Sequence, residues 1–146
     1  MANQTQSSIV INAAPAEIMG VIADLTAYPQ WSEGVREVEI LTEYEDGRPG
    51  VARCRLESGP IKDTYGLAYT WNKDSEVSWT LTEGQMLKSM DGSYRLTDNG
   101  DGSTTVDYTL AVDINLPVIG LIKRKAEKVI VDTALKGLKS RIEQGS

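Results

Sequence analysis

Histidine does not occur in this 146-residue sequence. Its absence excludes a Ser-His-Asp triad, a Cys-His pair and any histidine-ligated metal. Any proton transfer must run on carboxylates, Lys, Tyr, Arg or polarised water. Cysteine is almost as scarce. The single Cys54 excludes an internal disulfide and fits a reducing cytosol, so the expected location is cytoplasmic. With no histidine to activate it, Cys54 reads as a small buried hydrophobe, not a nucleophile. The same compartment makes the Asn3-Gln4-Thr5 sequon a coincidence. The polar N-terminus MANQTQSS predicts no secretory leader. No apolar stretch approaches the length that spans a bilayer, so no stable membrane insertion is expected. Positive charge is in deficit: 15 Lys and Arg stand against 21 Asp and Glu, a net charge of −6. That argues against non-specific nucleic-acid binding. Nothing in the composition fixes an oligomeric state.

What remains is an ordinary globular chain, 40% hydrophobic and 25% charged, with the length of a single domain over residues 1–146. Its longest regular stretch is Leu116 to Gln144. Pro117 suits a first helical turn, and the spacing predicts a helix over 117–143. Ile119, Ile122, Ala126, Val129, Ile130 and Thr133 recur at three- and four-residue steps on one face. Ala126, Thr133 and Gly137 keep that face thin. Two readings fit a thin face: close packing on a sheet, or a gap beneath the helix.

The rest of the chain is mostly strands. Ser7–Asn12 is a short β-branched strand. Ala13 to Glu17 opens a helix with Ile18, Val21, Ile22 and Leu25 as its buried stripe, and Thr26 to Trp31 is a second helical turn broken by Pro29. From residue 33 the period changes to two. Strands are predicted over 35–44, 51–58, 61–72, 76–83, 85–97 and 103–114, separated by Gly-, Pro- and Asp-rich turns. The Asp98-Asn99-Gly100-Asp101-Gly102 loop reads as hairpin chemistry, not a calcium site. Together these make an α+β helix-grip architecture: a seven-stranded antiparallel sheet wrapped around a long C-terminal helix, with two short helices after the first strand.

Strand alternation also assembles a candidate cavity face. It carries Ala52, Cys54 and Leu56, then Tyr65, Leu67 and Tyr69, then Trp79 and Leu81, then Met90, Tyr94 and Leu96, with Tyr108 and Leu110 as further candidates. Ile122, Ala126, Val129, Ile130 and Thr133 would roof it. Each residue alone is equally a core filler, but buried tyrosine hydroxyls each need a partner, a water or a ligand. Asp63 lies in phase with Tyr65, and Lys88 with Met90. Both are candidate polar groups of the site, or solvated residues at strand ends. Arg53 and Arg55 alternate outward against Cys54 and Leu56. Lys123-Arg124-Lys125 and Lys128 read as a solvated helix face interleaved with Glu127 and Asp132. Tyr28 and Trp31 flank Pro29 and read either as a lid on the cavity or as a staple for the short helices.

The chain resembles the START/Bet v 1-like (SRPBCC) superfamily, in particular its bacterial polyketide cyclase/dehydrase branch. The residues that carry the resemblance are Ile9-Val10-Ile11 with Ala14-Pro15-Ala16-Glu17, then Leu25 to Trp31, Asp91 to Leu96 and the terminal helix. The resemblance covers nearly the whole chain. It implies a helix-grip fold with an internal cavity for a hydrophobic or amphipathic molecule such as a lipid, quinone or polyketide-like compound. It implies no cofactor and no metal, and it leaves catalytic residues unassigned. Three functions stay open: a ligand-binding or transport protein, a cyclase, aromatase or dehydratase, and a protein-interaction module with a filled core. Cyclases of this family usually have a polar interior, often with an inward arginine. Alternation places no arginine inward here, which favours binding.

Overall fold

A computed structural model describes residues 4–32, 34–58, 61–114 and 120–144. The chain runs β1 (Thr5–Ile11), α1 (Pro15–Ala23), a 3-10 turn (Leu25–Ala27), α2 (Tyr28–Trp31), β2 (Val35–Glu43), β3 (Pro49–Ser58), β4 (Ile61–Asn72), β5 (Glu76–Glu83), β6 (Leu87–Asp98), β7 (Thr104–Ile114) and α3 (Gly120–Glu143). The strands form one seven-stranded antiparallel sheet in the order β1-β7-β6-β5-β4-β3-β2. This is the helix-grip architecture that the alternation predicts. Short turns join β2 through β7, so each pairs with its successor, and β1 closes onto β7. The first part of the predicted C-terminal helix, at Pro117–Ile119, lies outside the described residues.

Alternation sorts the strands cleanly. Along β7, Thr104, Val106, Tyr108, Leu110 and Val112 are buried, and along β4 Tyr65, Leu67 and Tyr69 turn inward. The outer face carries the charges. Arg53 pairs with Glu39 and Glu83, and Arg55 with Glu37 and Glu57, across β2, β3 and β5. Such exposed pairs stabilise little individually; they keep the sheet's outer face, including edge strand β2, polar and ill-suited to pairing with another chain.

α3 differs from the sequence expectation in its phase. Its buried stripe is Glu127, Val131, Leu135, Leu138 and Ile142, not the stripe through Val129, Ile130 and Thr133. Val129 is 63% exposed, and Ile130 and Thr133 are half-buried. The reason is where the helix lies. α3 packs mainly against β1, at one end of the sheet, with β7 and α1 beside it. Its core face therefore looks into the β1–β7–α1 corner, and the flank bearing Ile130 and Thr133 looks across the open part of the sheet.

Glu127 does not belong to a solvated face. It is 2% exposed. Its Oε2 accepts the Val112 backbone N–H at 2.8 Å, and its Oε1 accepts the Thr5 hydroxyl at 2.8 Å. Val112 lies beyond the last recorded β1–β7 pair, Thr5 with Leu110; among the described residues its N–H has no strand partner there, and the carboxylate supplies one. Further along the same seam, Lys139 Nζ donates to the Val10 carbonyl at 2.7 Å, and the Asn12 N–H donates to Glu143 Oε2 at 2.9 Å. The free edge of β1 is thus stitched to the helix by side chains.

Replacing Glu127 by Ala leaves the buried Val112 N–H without a partner. A loss of about 2–3 kcal/mol in unfolding free energy is expected, measured by urea denaturation, and Glu127→Gln should retain a good part of it by keeping an acceptor.

Candidate functional site

Because α3 sits over the β1–β7 corner, the middle of the sheet is not filled from above. A cavity of about 800 Å³ remains between the sheet, α2 and the flank of α3. Its floor comes from Cys54 and Leu56 on β3, Tyr65, Leu67 and Tyr69 on β4, Trp79 on β5, Met90 and Tyr94 on β6, and Tyr108 and Leu110 on β7. Its roof is Val129, Ile130, Thr133 and Ala134 of α3. Pro29, Gln30, Arg36 and Val129 are exposed lining residues, which places the mouth between α2, the start of β2 and the outer flank of α3.

The floor is an aromatic wall. Trp79 lies 5.5 Å from Tyr94, 5.8 Å from Tyr108 and 6.1 Å from Tyr69 between ring centroids, and Tyr94 lies 4.5 Å from Tyr108. Trp79 can lie across β6 because its cross-strand partner is Gly92. A Cβ on that residue would stand 2.4 Å from the indole.

The polar atoms of the cavity are phenols and one thiol. Tyr28 is fastened by its hydroxyl, which donates to the Ile22 carbonyl at 2.6 Å. Tyr65 and Cys54 are hydrogen-bonding neighbours. The hydroxyls of Tyr69, Tyr94 and Tyr108 have no hydrogen-bond partner among the described residues. Burial raises the pKa of all five phenols, and their mutual proximity adds to it for Tyr28, Tyr65, Tyr69 and Tyr94. The Cys54 thiol is pushed by burial up to about 11. At neutral pH the interior therefore holds protonated hydroxyls and a protonated thiol. Among the described lining residues the charged ones are Arg36 and Glu57, which face each other at 4.0 Å.

α2 closes one end. Tyr28 and Trp31 pack with ring centroids 4.8 Å apart. The Trp31 carbonyl stands 2.7 Å from where a Gly137 side chain would begin, so the helix is notched to receive α2. Trp31 Nε1 is buried without a partner among the described residues.

The family model described as polyketide cyclase / dehydrase and lipid transport matches residues 3–143. The chain belongs to this family. Solved structures share its fold. A START superfamily protein from Mycobacterium smegmatis aligns with a TM-score of 0.90 at 24% identity, covering 98% of this chain and 99% of that one. A Thermus thermophilus protein aligns at 0.82 with 21% identity, over 99% of each chain. The Zhui aromatase/cyclase from a Streptomyces species aligns at 0.72 with 14% identity, covering 97% of this chain and 96% of that one. Comparison with curated protein sequences found no match. Among the described residues no helix is long and apolar enough to cross a membrane.

Most of the family-like cavity positions named from the sequence come together: Trp31, Cys54, Leu56, Tyr65, Leu67, Tyr69, Trp79, Met90, Tyr94, Val129, Ile130 and Thr133 all line one space. Ile122 and Ala126 belong to α3, but their side chains fall outside the described set. Five named residues stand outside the cavity, Lys88 by the solvated alternative left open for it. Leu81 packs half-buried against the core, beside its partner Leu67, without lining the cavity. Ala52 and Leu96 are core residues. Lys88 is exposed, because a register shift between Leu87 and Ser89 breaks the alternation and turns Leu87 inward instead. Asp63 is neither solvated nor part of the cavity. It is 5% exposed and accepts the backbone N–H groups of Gln85, Met86 and Leu87 at 2.9–3.2 Å. It holds the β5–β6 turn, and so the start of β6.

Sequence reasoning missed Ile22, Ala134, Arg36 and Glu57 as lining residues, and it named Tyr28 only with the α2 lid or staple. Ala134 was lost with the helix phase. Arg36 is in phase with Val38 and Ile40, which pack on the core, so alternation itself points it inward and the sequence reading overlooked it; the irregularity between Val35 and Glu37 leaves it exposed at the rim.

Two outcomes follow from these assignments. Asp63→Ala removes the acceptor for three backbone N–H groups, and a loss of about 2–3 kcal/mol is expected on thermal or urea unfolding, with Asp63→Asn retaining part of it. Cys54, held near 11, should react with iodoacetamide at pH 8 about 100-fold more slowly than an unperturbed thiol, since only the thiolate attacks. Its labelling rate should recover in urea, followed by mass spectrometry.

Proposed function

We propose that this protein binds and carries a hydrophobic or amphipathic small molecule in the cavity between the sheet and α3. The observation that carries this reading is an aromatic-walled space of about 800 Å³ whose mouth opens at α2. Spaces of roughly 300–1,000 Å³ with apolar walls and a few polar atoms are the usual form of small-molecule sites. Family membership supports the same reading, since the family's description includes lipid transport.

The competing reading is a cyclase, aromatase or dehydratase, which the same family description and the aromatase/cyclase neighbour keep in view. Such chemistry needs a group that takes or gives a proton near neutral pH beside the substrate. Among the described lining residues the interior titratable groups are phenols and the Cys54 thiol, all raised by burial. Arg36 and Glu57 stand at the rim and face each other. This chemistry favours binding over turnover.

Filling the space tests the proposal. Thr133 lines the cavity and is only half-buried. Thr133→Trp should weaken binding of the probe 8-anilinonaphthalene-1-sulfonate at least tenfold while changing stability by less than about 1 kcal/mol, because an open space accepts volume that a packed core resists at about 1–3 kcal/mol. A large stability loss with unchanged probe fluorescence would count against a binding cavity.

A further inference from the structure

We propose that the ligand is a flat, uncharged ring system bearing oxygen acceptors, and that the hydroxyls of Tyr69, Tyr94 and Tyr108 select it. This rests on the binding function proposed above and goes on to the chemistry of the occupant.

Shape comes from the floor. Trp79, Tyr94 and Tyr108 cluster with centroid spacings of 4.5–5.8 Å and are tilted to one another by 41–67°, so the wall presents both ring faces and ring edges. Aromatic faces pack best against other flat π-surfaces, by offset stacking or edge contact. A flexible acyl chain gains nothing specific from such a wall.

Polarity comes from the hydroxyls. Tyr69, Tyr94 and Tyr108 line the cavity, and their hydroxyls, which open onto it, have no partner among the described residues. A ligand that displaces solvent from the cavity and offers them no acceptor leaves them unpaired, which is costly. Each stays protonated at neutral pH and so has an O–H to donate. A carbonyl or ether oxygen on the ligand is the matching group.

Charge comes from what the interior lacks. The only cation among the described lining residues is Arg36, exposed at the mouth and facing Glu57. A carboxylate or phosphate carried inside would be desolvated without a counter-charge, in a chain whose net charge is already −6. An anionic group is therefore disfavoured deep in the cavity, and a probe such as 8-anilinonaphthalene-1-sulfonate enters with its sulfonate left at the mouth beside Arg36.

A shape-matched series tests the inference: fluorene, 9-fluorenone and fluorene-9-carboxylate, titrated by calorimetry or competition against 8-anilinonaphthalene-1-sulfonate. Fluorenone should bind about tenfold more tightly than fluorene, the worth of one or two hydrogen bonds, and at least as far above the carboxylate. Tyr94→Phe and Tyr108→Phe keep the rings, and the double variant should bring fluorenone down to the fluorene level with fluorene unchanged. The carbonyl stretch of fluorenone bound to the unaltered protein should shift to lower wavenumber, which reads the hydrogen bond without any substitution. Equal affinities for fluorene and fluorenone, an unshifted carbonyl band, or tightest binding of the carboxylate would each overturn the inference and leave the binding function standing. If none of the series and no 8-anilinonaphthalene-1-sulfonate binds, the binding function itself falls, and this inference with it.

Discussion

α3 buries Val131, Leu135, Leu138 and Ile142 against the corner made by β1, β7 and α1, and Glu127 pins the same seam to Val112 and Thr5. That attachment decides the rest. A helix is roughly 10 Å wide and adjacent strands stand about 4.8 Å apart, so one helix covers only a few strands of a wide sheet. Placed at one end, it leaves the inner faces of β3 to β6 without a close partner. The cavity is the geometric remainder of a seven-stranded sheet and a single off-centre helix. α2, fitted into the notch at Gly137, closes part of what α3 leaves open.

The fold was legible because each strand states its own face. Period-two alternation from Val35 onward, with Gly-, Pro- and Asp-rich turns between runs, leaves little freedom in a meander. The inner face followed from the same rule, and it was right wherever the strand is regular, as at Tyr65, Leu67, Tyr69 and Tyr94. It failed where the register shifts. Between Leu87 and Ser89 the pairing slips, so Leu87 turns inward and Lys88 outward, since a one-residue slip moves a side chain to the other face. Nothing in the local sequence announces that shift. The helix phase failed for a different reason. Two apolar stripes compete on α3, one through Ile130 and Thr133 and one through Val131 and Leu135. Choosing between them requires knowing which side of the sheet the helix lies over. A glutamate on the second stripe argued against it, and that argument gave way because Val112 offers an unpaired N–H to receive the carboxylate.

Asp63 and Glu127 share a design. Both are almost fully buried, and both accept backbone N–H groups at the ends of strand pairing: two in the β5–β6 turn, one at the first residue of β6, and one on β7 beyond the described β1 pairing. A buried carboxylate is costly alone, but hydrogen bonds to its charged form offset that cost. Each places a charge at a discontinuity of the sheet, outside the cavity lining. The ionisable residues that sequence alternation would assign to chemistry or to solvent are instead used to finish the backbone.

That division of labour leaves the cavity with a restricted vocabulary. Among the described residues the two buried carboxylates are committed to the frame and Glu57 stands at the rim beside Arg36, so the interior retains aromatic faces, aliphatic side chains, phenols and a thiol. Burial holds the phenols and the thiol in their neutral forms, so the wall can orient a guest through hydrogen bonds and contact area but has little means of moving its protons. Trp79 shows how closely the frame and the wall are coupled. Its ring fits over β6 because Gly92 opposite has no side chain, and Gly92 follows the β6 start that Asp63 fixes through the turn. The shape presented to a ligand therefore depends on a carboxylate that does not line the cavity.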